Sequence, residues 1–168
     1  MDTVPGYNCI VWTVRLSVAL YAASVWKSVN RRNGAFGADR VRAWLWSSSW
    51  LMCVVHVLCA FHFQHHWDHD AALLHTAEMT ERVVGLHWSG GLYINYLFLV
   101  MWGCDCISQL IGIRTHSPVT MQAVAAFMMF NATAIFGPGW WWAVVVLFSG
   151  CLWFRRRSAR SFIGDDAA

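Results

Sequence analysis

The stretch GLYINYLFLVMWGCDCISQLIGI, residues 91–113, carries a single charge, Asp105, in twenty-three positions. As an α-helix at about 1.5 Å per residue it reaches about 35 Å, enough to cross the roughly 30 Å hydrocarbon core of a bilayer. The remainder of the 168-residue chain falls into blocks of the same kind at residues 9–26, 43–63, 119–136 and 140–154. The first carries Arg15 in its interior, and the last is short, but Arg155, Arg156 and Arg157 can snorkel and extend it. Gly137, Pro138 and Gly139 divide the last two blocks, which together are too long for one crossing, so a tight helical hairpin is expected there.

Composition agrees with this reading. Apolar residues make up 58% and charged residues 12%, against about 45–50% and about 25% in ordinary soluble domains. A soluble domain, a disordered chain and a secreted disulfide scaffold are therefore disfavoured. The expected fold is an all-α integral membrane protein: one domain, residues 1–168, of five transmembrane helices in contact with the lipid bilayer.

Lysine and arginine set the orientation, because they are retained on the cytoplasmic side. With the N-terminus outside and the C-terminus in the cytoplasm, Lys27, Arg31, Arg32, Arg40, Arg42, Arg114, Arg155, Arg156, Arg157 and Arg160 all fall inside. Only Arg82 then lies outside, together with Asp2, Asp68, Asp70, Glu78 and Glu81. The net charge of +3 follows from this topology, and no nucleic-acid partner is needed to explain it. Tryptophan gives a second marker, since its ring prefers the headgroup level. Trp12, Trp67, Trp88 and Trp140 to Trp142 fall at outer ends, and Trp26, Trp44, Trp46 and Trp153 at inner ones. The N-terminus lacks the basic region and small-residue cleavage site of a signal peptide, so the first helix is expected to persist.

The external segment, residues 62–90, holds the densest chemical signal. His62, His65, His66 and His69 recur at i, i+3, i+4 and i+7, which on a continuous helix places four imidazoles within about 100° of arc. Imidazole binds transition metals such as Fe, Zn or Cu. The first candidates for metal ligands are His62, His65 and His69, with His66, His75 and Asp68 as alternates. Two other readings stand beside this one: a wet interfacial segment tolerant of histidine, and a proton-linked switch. Asp68 or Asp70 can instead N-cap a new amphipathic helix running to about Val84 before Gly85, and a chain break there takes His69 off the shared face.

The third long block contains the second constellation. Asn95, Trp102, Asp105, Cys106 and Gln109 share one arc, so this helix has a polar stripe that must face protein. A charged aspartate at depth costs about 2.5–3.5 kcal/mol on insertion scales and marks a partner, a pathway or a neutralised acid. Arg15 lies at a different depth. It is expected to meet Asn95, Tyr96 or the external acids, while Asp105 is expected to meet Ser47, Ser48, Ser49 or a snorkelling base. Ser49, Cys53, His56 and Ala60 form a small, mildly polar stripe on the second block, suited to close helix packing. Buried thiols are the default for the six cysteines, and Cys9 with Cys59 is the pair placed for a disulfide.

The sequence contains neither a phosphate-binding glycine loop nor a nucleophile elbow, and no second histidine in another block opposes His56 as an axial haem ligand. No cofactor site and no catalytic residue can be assigned, and the balance of motifs leans away from an enzyme. A membrane-protein partner or a second copy of the chain is the expected class of interactor. A proton-linked transport or sensing role through Asp105 is the further alternative.

His62 to His66 spells H-x-x-H-H, which resembles one histidine box of membrane-bound di-iron desaturases and hydroxylases. Those enzymes carry several such boxes on the cytoplasmic side; this chain has one, expected outside. The wider pattern of Phe61, His62, His65, Trp67 and His69, then Gly90, Gly91, Tyr93, Asn95, Tyr96, Phe98, Trp102 and Asp105, resembles a group of small bacterial multi-span membrane proteins. That resemblance implies a bacterial cytoplasmic-membrane protein and no particular reaction.

Overall fold

A computed structural model describes residues 6–29, 36–114, 116–135 and 138–165. It contains α1 (Tyr7–Val29), α2 (Phe36–Phe63), α3 (His69–Val84), α4 (Gly91–Leu110), α5 (Val119–Phe130), a π-helical turn (Asn131–Ile135) and α6 (Trp141–Asp165). No strand occurs among the described residues. Three stretches, Tyr7–Ser28, Arg40–Phe63 and Gly91–Leu110, are long and apolar enough to cross a membrane; Val119–Thr133 and Trp141–Arg155 are shorter apolar helices.

The boundaries follow local chemistry. α4 stops at Leu110, three residues before the apolar block ends, because Gly112 turns the chain at φ +79°. α2 ends at Phe63, where the N–H of Trp67 closes back on the carbonyl of Phe61 (2.9 Å) and His66 and Trp67 take left-handed conformations at φ +49° and +63°. The helix thus ends in a widened turn, with two successive left-handed residues other than glycine reversing the chain. Asp68 then starts α3: its Oδ1 accepts the N–H groups of Asp70 (2.9 Å) and Ala71 (3.2 Å), and Gly85 ends the helix in the left-handed region at φ +73°.

The core forms where α2, α4 and α5 meet. Trp46 and Trp102 are fully buried with ring centroids 5.1 Å apart, and Phe98, Cys106, Met121, Ala125 and Met129 fill the space around them. The buried positions on α5 and the turn after it, Met121, Ala125, Met129 and Thr133, recur every four residues, the spacing of one helix face. Gly103 permits a close approach: a Cβ there would lie 2.8 Å from the Trp50 ring, whose Nε1 donates to the carbonyl of Leu99 (2.9 Å). α1 joins α2 through a reciprocal pair. The Ser17 hydroxyl donates to the Ser49 carbonyl (2.8 Å), and the Ser49 hydroxyl to the Ser17 carbonyl (2.7 Å). Small residues let these backbones approach, as is usual where helices pack in lipid. α6 meets α1 through Phe148 and Arg155, which contact the Trp26 ring at 6.3 and 4.1 Å, and leaves Val146, Leu147, Trp153 and Phe154 exposed.

Candidate functional site

The polar stripe of α4 ends in a buried cluster about 21 Å along the helix from Gly91. Asp105 is 7% exposed, and its Oδ2 is a common acceptor. It receives Nε1 of Trp46 from α2 (2.9 Å), Nε2 of Gln109 one turn along α4 (2.8 Å), and the hydroxyl of Ser117, just before α5. Gln109 extends the network, taking Nη2 of Arg42 on its Oε1 (2.9 Å) and donating to Ser117 Oγ (2.7 Å). The two oxygens of Asp105 are treated unequally, because the buried Oδ1 accepts no hydrogen bond from the described residues. Trp102 Nε1 is also buried without an acceptor among the described residues.

Trp102, Asp105 and Gln109 are therefore brought together as the spacing implied. Asn95 is not, since it sits exposed toward the α3 end of the same helix. The expected serines do not serve Asp105. Ser49 points to Ser17 on α1, and it is Trp46, three residues earlier on α2, that faces α4. The basic residue of the cluster, Arg42, acts through Gln109 without touching the carboxylate directly. Sequence reasoning missed Arg42, Trp46 and Ser117. The available signal was the 4-3-4-3 spacing of Arg42, Trp46, Ser49, Cys53 and His56, one continuous face of α2.

At the other end of the bundle the histidines are dispersed by the break after α2. His62 accepts Nε1 of Trp67 on its Nδ1 (3.2 Å). His65 lies beside His75 of α3, ring centroids 5.4 Å apart, and Gln64 Nε2 approaches His75 Nε2 at 3.1 Å. His69 is carried away on α3, where its ring stacks with Phe61 (6.4 Å) and Tyr96 (6.1 Å). His66 is exposed, and Asp68 is occupied as the N-cap of α3. Among the described residues no group of three or more His, Cys, Asp or Glu side chains stands close enough to hold a metal ion. The expected His62, His65 and His69 ligand set is thus not assembled, because the continuous helix it requires ends at Phe63. Burial, followed by the neighbouring His75, holds the His65 imidazole below its usual pKa, with Asp68 opposing.

Arg15 also differs from expectation. Its guanidinium lies over the rings of Trp12 (5.2 Å) and Trp140 (5.8 Å) instead of meeting Asn95, Tyr96 or an acid. Near it, Nδ1 of His56 meets the carbonyl of Ile10 (2.9 Å). Cys9 and Cys59 are free thiols whose sulfurs stand 2.8 Å apart. No protein-family model, curated protein or solved structure matches this chain.

Proposed function

We propose that the chain is a five-span protein of the bacterial cytoplasmic membrane that catalyses no reaction itself and acts as a helical scaffold or partner subunit of a membrane complex. Asp105 fixes the relative positions of α2, α4 and α5. The observation that carries this reading is the shared acceptor Oδ2, which draws one donor from each of α2, α4 and the segment leading into α5. Polar side chains that hydrogen-bond between helices hold membrane bundles together. The span count adds α5 with its π-helical turn, and the apolar first part of α6, to the three long apolar helices. The clustering of Lys and Arg supports an outside N-terminus and an inside C-terminus. A C-terminal reporter active only in the periplasm tests the topology, and activity there overturns it.

A second reading, proton-linked transport or sensing, is favoured by Oδ1. One oxygen of this carboxyl group takes three donors, while the other is buried and takes none from the described residues. Purified protein in liposomes separates the two. The scaffold reading expects no proton flux above protein-free vesicles. Flux that disappears in a stably folded Asp105→Asn variant overturns it, since an amide cannot exchange a proton in that way.

A further inference from the structure

At the end of the bundle where α1 begins lies a cleft of about 330 Å³ between α1, α2, the π-helical turn and the start of α6. This is within the range of about 300–1,000 Å³ typical of small-molecule sites. We propose that the cleft binds an anionic amphiphile: an acidic phosphate or carboxylate headgroup at Arg15, with its hydrocarbon chain lying along α1.

The charge of the lining is one-sided. Arg15 enters the cleft, and no Asp or Glu is among the described residues that line it. Among the described residues the guanidinium has ring contacts only, with no hydrogen bond and no ion pair. A guanidinium stacked on aromatic rings keeps its N–H fork, the geometry that matches phosphate and carboxylate. Two helices also begin here: Tyr7 and Trp141, the first residues of α1 and α6, are both in the wall. Helix N-termini carry partial positive charge and favour an anion.

The remaining polar groups can accept. The Ile10 carbonyl has no hydrogen to give, so Nδ1 of His56 is the protonated nitrogen and Nε2 keeps its lone pair. Thr133 donates its hydroxyl to the Met129 carbonyl (2.8 Å), which leaves its oxygen as an acceptor. These atoms suit an acid O–H or the hydroxyls of a headgroup. Thr133 belongs to the π-helical turn, a local distortion often found at functional sites. Along α1 the wall on both sides of Arg15 is apolar: Val11 and Val14 stand on its Tyr7 side and Val18 beyond it, at i, i+3 and i+7, with Val18 about 16 Å along the helix from Tyr7. A cation set in an apolar wall requires both halves of an amphiphile. A free anion uses only the first half, and a neutral lipid only the second.

The test is thermal unfolding of the full chain in a neutral maltoside detergent. Dodecyl phosphate, dodecanoate, dodecanol and inorganic phosphate are each added to the parent, Arg15→Gln and, as a control, Arg82→Gln on exposed α3. The expected result is a dose-dependent rise in melting temperature with the two acidic amphiphiles, the larger effect identifying the headgroup. Arg82→Gln should respond like the parent, and Arg15→Gln should need at least about tenfold more ligand, the scale of a lost charge-assisted hydrogen bond. Equal protection by dodecanol, full protection by inorganic phosphate alone, or an undiminished response in Arg15→Gln each overturns the proposal. Should Arg15→Gln fail to fold, Val14→Phe narrows the apolar part and leaves the cation in place. An unaltered response to the acids in that variant is equally fatal.

Discussion

Replacing Asp105 by leucine and by asparagine separates the worth of its hydrogen bonds from the cost of its charge. Both substitutions remove the carboxylate and with it the insertion penalty of about 2.5–3.5 kcal/mol, so that contribution cancels between them. What differs is the acceptor at the Oδ2 position, which asparagine can keep and leucine cannot. Three donors depend on it: Trp46 Nε1, Gln109 Nε2 and the Ser117 hydroxyl. Gln109 and Ser117 retain each other at 2.7 Å, whereas the Trp46 indole loses its acceptor within a fully buried site. An orphaned buried donor costs about 1–3 kcal/mol, and the two weakened bonds add about 0.6 kcal/mol each, the average for hydrogen bonds between membrane helices. Asp105→Leu should therefore be about 2–4 kcal/mol less stable than Asp105→Asn. At about 2–4 °C per kcal/mol for a chain of this size, the midpoints should differ by about 4–16 °C. Detergent melts followed by near-ultraviolet circular dichroism read this directly, because Trp46 and Trp102 share the core. A leucine variant melting at or above the asparagine variant refutes the claim that Oδ2 binds α2 to α4 and α5.

Two further outcomes are expected. The folded state holds the His65 imidazole below its usual pKa through burial and the adjacent His75. The unfolded chain therefore takes up the proton first as pH falls through the ordinary histidine range, about 6.5, and stability should drop there and level off below the folded value. His65→Gln should melt with a weaker dependence between pH 7.5 and 5, and an unchanged slope contradicts the assignment. Cys9 and Cys59, with sulfurs 2.8 Å apart, should form an intramolecular disulfide when oxidised glutathione exchanges with them and leaves as two thiols. Protection of both thiols from maleimide, reversed by dithiothreitol and absent in Cys9→Ser, checks this; full labelling after oxidation argues against their pairing.

The parts of this molecule legible in the sequence are those governed by one helix at a time. Hydropathy places α1, α2 and α4, the Asp68 N-cap and Gly85 C-cap delimit α3, and period alone puts Trp102, Asp105 and Gln109 on one face. The errors arise where a partner or a local backbone choice decides. His62, His65, His66 and His69 share an arc only if α2 continues, and nothing in their spacing reports that His66 and Trp67 adopt positive φ. Similarly, a serine run opposite a buried aspartate is a reasonable donor set by chemistry. The rotation of α2 nevertheless turns Ser49 toward Ser17 and presents the Trp46 indole instead.

That rotation also explains why one helix serves two unlike places. The α2 face that carries Arg42 and Trp46 at one end carries His56 at the other, with Ser49 and Cys53 between them. Toward α4 it offers donors, and Asp105 answers with an acceptor; toward α1 and the start of α6 it offers the His56 imidazole to a cleft whose only fixed charge among the described residues is Arg15. Opposite charges at opposite ends of a bundle do not neutralise each other across lipid. The Oδ2 of Asp105 is satisfied inside the protein by neutral donors, whereas Arg15 has aromatic rings and no anion among the described residues. The carboxylate is accordingly read as part of the structure and the guanidinium as the group directed toward a ligand. The two assignments are independent: loss of the Asp105 network should loosen the bundle without discriminating among amphiphiles, and loss of Arg15 should abolish that discrimination in a bundle whose Asp105 network is intact.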